Sequence, residues 1–185
     1  MRPMSVVQTW GSSAEERIAS YPCDDLVEQP DGILFRAVDV AAPSSLVFRW
    51  LCQLRAAPYS YDWIDNFGRI SPRPLTAGLE VLEVGQQFLT FFRLVHFELD
   101  TSITLDATLR VFGQVACTYR VDPVGDDRSR LVAKLAFAAP PGPYRLIVRH
   151  VLPAVDLVMM RRQLLTLKAL AERDAVNGHV RGAVT

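Results

Sequence analysis

The densest chemistry in the chain lies in one short run, Tyr59-Ser60-Tyr61-Asp62-Trp63-Ile64-Asp65-Asn66, where amphipathic aromatics stand among carboxylates and an amide. Phenols and an indole pair a large apolar face with a polar tip. Tyr59, Tyr61 and Trp63 therefore suit a pocket mouth, with Asp62 or Asn66 hydrogen-bonding the polar end of an otherwise apolar ligand. The same groups also serve as a plug for the end of a core, with Asp62 or Asp65 capping a short helix. In a catalytic site, Asp62, Asp65 or Tyr61 would be the groups that exchange protons.

Further candidates lie downstream. His96 and Glu98 share strand parity and would form an acid/base pair if their face were concave, but Val95 and Phe97 are the natural core residues, which turns His96 outward. Arg93, on the parity of Val95 and Phe97, offers an inward cation for a carboxylate-bearing ligand, or snorkels to water at a strand end. Met159 and Met160 suit adaptable cavity lining, because an unbranched thioether adjusts to ligands of varied shape, and core packing explains Met160 equally well. Tyr119 adds a ring to the candidate lining.

Several chemistries fail on inspection. His96, His150 and His179 are scattered, and no Cys/His pair has ligand spacing, so no metal is expected. Cys23, Cys52 and Cys117 form an odd, widely spaced set, read as reduced, mostly buried thiols. Phosphate-binding glycine loops and the G-x-S-x-G elbow are absent, so no cofactor is expected. Twenty basic and twenty acidic residues cancel, with neither the basic footprint of a nucleic-acid binder nor a polybasic membrane patch. The longest apolar run is far short of the ~20 residues that span a bilayer, and no signal core follows Met1. The expectation is a cytoplasmic protein without stable membrane insertion, a monomer or homodimer of 185 residues, half of them apolar.

The elements that must position these groups are legible in the periodicity. Ser12 and Glu15 have capping-box spacing within an N-terminal arm, 1–32. Ile33 to Val40 reads as a strand, and Leu46, Val47, Trp50, Leu51 and Leu54 give one buried helical stripe after Pro43. Strict alternation marks Ser102 to Val111, Val115 to Val121 and Leu131 to Phe137, with Gly113 and Pro123-Val124-Gly125-Asp126-Asp127 as turns. Connections this short force antiparallel neighbours. Gln86–Phe92 and Leu94–Leu99 read as two earlier strands of the same meander. Beyond Pro143 the pattern is helical to about Arg173, with Pro153 starting or kinking the main segment and Leu157, Met160, Leu164, Leu167 and Ala171 forming its apolar stripe. One α+β domain over 33–175, followed by a flexible tail, 176–185, accounts for the order.

That order resembles the START-like (SRPBCC) superfamily, whose helix-grip fold is shared by polyketide cyclases/aromatases, START lipid-transfer domains, pollen-allergen-like lipid binders and coenzyme Q-binding proteins. The wording is closer to a polyketide cyclase-like bacterial group within it. It is carried by Phe48-Arg49-Trp50-Leu51-Cys52-Gln53-Leu54-Arg55, Ala57-Pro58 with the aromatic run that follows, Ser71-Pro72-Arg73, and Asp156-Leu157-Val158-Met159-Met160-Arg161-Arg162-Gln163-Leu164-Leu165. The resemblance implies a curved antiparallel sheet of about six strands around a long C-terminal helix, and a cavity that takes a small apolar or amphipathic molecule. No local string matches a cyclase active site, so a non-catalytic carrier or sensor is the first expectation. A metal-free cyclase/dehydratase using the same cavity and a protein-interaction module with a filled core are the alternatives.

Overall fold

The alternating stretches form one sheet because each presents an apolar face that only neighbouring strands and a covering helix can shield. The computed structural model describes residues 4–65, 68–142 and 144–182. Helices α1 (Val6–Thr9) and α2 (Ala14–Ile18) and a 3-10 turn (Pro22–Asp25) make up the arm. Strand β1 (Gly32–Val40) leads into helix α3 (Ser44–Cys52), and the single turn α4 (Asp62–Asp65) lies in the aromatic insertion. Then come β2 (Gln87–Phe88), β3 (Phe92–Glu98), β4 (Ser102–Leu109), β5 (Gly113–Pro123), β6 (Ser129–Ala138) and helix α5 (Tyr144–Gly182).

All strand pairs are antiparallel, and the spatial order is β1-β6-β5-β4-β3-β2. The six-stranded curved sheet wrapping a long C-terminal helix is the architecture expected. Its β4–β5 turn needs glycine: Gly113 has φ +76°, and a Cβ there would lie 2.1 Å from the Ala138 carbonyl oxygen.

The two faces pack against different partners. Leu34, Val38, Leu131, Tyr119, Ile103 and Leu105 meet Leu164, Leu167 and Ala171 of α5 and Trp50 and Leu51 of α3 on the inner face. Each fully buried leucine contributes roughly 2 kcal/mol. The arm covers the outer face, where Tyr21, Cys23 and Val27 pack on Phe35, Ala37, Ala116, Val132 and Ala136. Lys134 also sits on that face, paired with Asp24 at 2.6 Å and lying over the Tyr21 ring. Strand β6 is thus buried on both faces, which explains why its apolar run is nearly continuous.

Several local expectations shift. The capping box falls one residue later, on Ser13 and Glu16. Leu89 and Thr90 take positive φ, 47° and 68°, so the chain turns there and the strand expected over 86–92 shrinks to the two residues of β2. Pro153 does not interrupt α5, which runs 39 residues and continues past Ala175 to Gly182.

Candidate functional site

Inside the grip, the apolar core is interrupted by a row of polar groups. Register places Arg36 of β1 beside Ala133, Ala133 beside Tyr119, Tyr119 beside Ile103 and Ile103 beside Phe97. Arg36 has the parity of Leu34, Val38 and Val40, so the alternation that builds the core aims its guanidinium inward. The small Ala133 between them lets two long side chains, Arg36 and Tyr119, occupy one row. Opposite, Asp156, Met160, Gln163 and Leu167 recur at four, three and four residues along α5, and share its inward face.

The contacts close a network. Arg36 is 1% exposed and Asp156 8%, and Nη2 lies 2.8 Å from Asp156 Oδ2. Arg36 also donates through Nη1 to the Phe35 carbonyl (2.8 Å) and through Nη2 to the Pro153 carbonyl (3.2 Å). The Tyr119 hydroxyl donates to Gln163 Oε1 (2.7 Å), with Met160 Sδ 3.3 Å away, and Gln163 Nε2 donates to the Pro58 carbonyl (2.7 Å). Among the described residues, Arg36 Nε has no hydrogen-bond partner, and Asp156 Oδ2 has none beyond its 2.8 Å contact with Arg36 Nη2.

Burial governs the electrostatics. Desolvation pushes the Asp156 carboxyl up to about 6, with Arg36 pulling the other way, and desolvation lowers the Arg36 guanidinium against the pull of Asp156. It also holds the Cys117 thiol and the Tyr119 phenol well above their ordinary values, so both stay neutral. Chemically, the cluster can pair an anionic or hydrogen-bonding head group, and its carboxyl can exchange a proton near neutral pH.

The groups singled out in the sequence are divided between this site and the surface. Tyr119 and Met160 belong to the cluster, and Met159 is half-buried beside it. Tyr59 is buried with φ +55° and meets Trp50 edge-on, one residue after the carbonyl that Gln163 holds. Tyr61 is half-buried and Trp63 is 75% exposed. Asn66 and the side chains of Asp62 and Asp65 lie outside the described residues.

Arg93 lies exposed instead of inward, with Nη1 donating to the Gly85 carbonyl. The cause is a bulge. Leu94 faces Leu105 and Phe97 faces Ile103, so three steps on β3 match two on β4, and Leu94 rather than Arg93 takes the inward parity. His96 and Glu98 share the outer face, opposite Thr104 and Ser102, away from the grip.

Clefts lined by described residues open at the periphery. One of about 220 Å³ lies between Leu54–Pro58 and Gln87–Thr90, beside the backbone that meets Gln163. Another, about 420 Å³, lies between Leu46, Leu75 and Arg173.

Arg36, Asp156, Gln163 and Cys117 escape a reading that hunts clustered functional residues, since they are far apart in sequence. A signal existed nonetheless: an arginine on the apolar parity of β1, and an aspartate in register with the buried stripe of α5.

No family model matches the chain, and no curated protein matches it. Solved structures do. A hypothetical protein from Helicobacter pylori aligns over 82% of this chain and 95% of its own, with TM-score 0.55 at 15% identity. The Zhui aromatase/cyclase from Streptomyces sp. R1128 aligns over 76% and 93%, with TM-score 0.51 at 18% identity. The di-domain ARO/CYC StfQ from the steffimycin biosynthetic pathway gives TM-score 0.52 at 15% identity, over 77% of this chain and 51% of that one. The chain shares the helix-grip fold of these structures, a curved antiparallel sheet around a long C-terminal helix, and at such identities the likeness is one of fold.

Proposed function

We propose that the protein binds a small amphipathic molecule between the sheet and α5, as a non-catalytic carrier or sensor, with the ligand's polar end at Arg36, Tyr119 and Gln163. The observation that carries this reading is a sealed polar cluster in which, among the described residues, Arg36 Nε lacks a hydrogen-bond partner and Asp156 Oδ2 has none beyond the Arg36 guanidinium. Such atoms cost free energy unless something completes them. In this reading the aromatic insertion is the mouth, with Tyr59 at its base, Tyr61 and Trp63 at its rim, and the cleft at Pro58 as the way in. Met159 and Met160 adjust to the ligand's tail.

A second reading has one specific support. The carboxyl of Asp156, pushed up to about 6, can trade a proton at neutral pH beside the Tyr119 hydroxyl, as a cyclase or dehydratase would need, and two fold neighbours are named as cyclases.

The test is to extract protein purified from its own cells with organic solvent and identify any stoichiometric small molecule by mass spectrometry, then titrate with a dansylated fatty acid. The paired replacement Arg36→Met/Asp156→Leu, which removes the head-group contacts without stranding a charge, should weaken the probe by roughly tenfold or more. Unchanged binding in that variant refutes the head-group assignment. An empty extract with no probe binding refutes both readings and leaves a protein-interaction module with a filled core.

A further inference from the structure

The first half of α5 buries one face and leaves a second apolar face uncovered. Val148, Leu152, Asp156 and Met160 point into the grip. Tyr144, Ile147, Val151, Val155 and Val158, spaced by three, four, four and three residues, form a straight stripe on another side, and all are exposed. Soluble surfaces seldom carry such a contiguous patch without a use.

The charge around the stripe has one sign. From Tyr144 to Arg162 the helix carries Arg145, Arg149, Arg161 and Arg162, while its one acid, Asp156, is buried against Arg36. Arg162 continues the line of the stripe four residues after Val158, and Arg161 flanks it, lying over the Trp10 ring. Asp31 meets Arg145 and also feels the charge of Arg149, but among the described residues Arg162 has no ion pair with an acid. The zero net charge of the chain conceals this local excess.

We propose that this face of α5 docks on the surface of an anionic lipid bilayer, with the stripe immersed among the acyl chains and the arginines on the head groups. An exposed row of apolar side chains along one helix suits a deformable apolar layer. The cations require that layer to be negatively charged. A second copy of the chain fits less well, because parallel packing stacks Arg162 on Arg162, and antiparallel packing brings it to the partner's Arg145–Arg149 end. The inference concerns the outside of the helix and holds whether or not the grip carries a ligand.

The test is cosedimentation of the full chain with vesicles of phosphatidylcholine alone and of phosphatidylcholine mixed with phosphatidylglycerol. Retention is expected on the mixed vesicles only, weakening as salt rises. Val151→Asp/Val155→Asp should lower vesicle affinity by roughly tenfold or more, with unchanged circular dichroism because both sites are exposed. Arg161→Gln/Arg162→Gln, which leaves the apolar row intact, should remove the preference for anionic vesicles. No retention on mixed vesicles, or retention that neither variant alters, overturns the proposal. So does a dimer in solution that Val151→Asp/Val155→Asp dissolves, since the face would then be an interface between copies.

Discussion

The Arg36 guanidinium and the Asp156 carboxylate stand 2.8 Å apart between the first strand and the last helix, almost sealed from water. Two charges so placed attract each other strongly, yet each has given up its hydration, and the second effect is the larger one for the carboxyl, whose pKa moves up rather than down.

Breaking the pair and removing it should therefore have opposite consequences. Arg36→Met strands a carboxylate and should destabilise the fold by about 3–5 kcal/mol near pH 8. Near pH 5 the loss should be much smaller, because the carboxyl can take up a proton. The double replacement Arg36→Met/Asp156→Leu should be at least as stable as the parent. Urea unfolding at the two pH values decides, and a double variant no better than Arg36→Met alone contradicts the account.

The pH dependence has a definite sign. Asp156 titrates at its ordinary 3.8 in the unfolded chain and at about 6 in the folded one, so the folded state holds the proton more tightly. Its contribution is full below about pH 4 and is lost as pH rises through 6, on the order of 3 kcal/mol at ~1.4 kcal/mol per pK unit. Asp31, held low by Arg145, slopes the other way, so the measurement must be a difference. The stability of the parent minus that of Asp156→Asn should fall across this window; a flat or rising difference refutes the assignment.

Tyr119→Phe removes the hydroxyl that holds Gln163 Oε1 and should cost about 1–2 kcal/mol. Gln163 then loses its orienting donor while still facing the Pro58 carbonyl. Amide exchange should quicken at residues 57–61 and stay unchanged in β6. Uniform quickening would mean that the tyrosine acts on the whole core instead.

The arm's hold on the sheet rests on a close approach at Gly11, whose φ is +75° and whose added Cβ would meet the Ala37 carbonyl oxygen at 2.1 Å. Next to it, the Ala37 N–H donates to the Trp10 carbonyl. Gly11→Ala must displace backbone and should cost about 2 kcal/mol or more, read as a lower denaturant midpoint. An unchanged midpoint would show the arm to be an independent appendage.

What the sequence disclosed and what it hid follow from the range of the signals. Alternation in β4, β5 and β6 and the helical stripe of α5 are local patterns, and they yielded the strand number, the antiparallel pairing and the covering helix. The bulge at Val95 is also local, but it adds a residue without changing composition, so counting by twos sent Arg93 inward when Leu94 takes that place. The polar cluster was hidden for another reason. Arg36 and Asp156 meet only after β1 has paired with β6 and α5 has crossed the sheet, and no short window contains both. The aromatic run at 59–66 drew attention by its density, yet Trp63 stays largely in water, whereas the isolated Tyr119 lies at the centre of the grip.

The neighbour order β1-β6 bears on how the protein forms as well as how it stands. Partners such as Val40 and Ser129, or Gly32 and Phe137, are roughly ninety to a hundred residues apart, and closing so long a loop is entropically slow. The meander from β3 to β6, joined by tight hairpins, can assemble before its first strand arrives. On the ribosome β1 must wait, with its apolar residues uncovered, until β6 (Ser129–Ala138) has emerged. Pulse-labelled hydrogen exchange should accordingly protect the amides of β4 and β5 ahead of those of β1. The arginine buried on β1 would then come to meet its carboxylate as one of the last acts of folding.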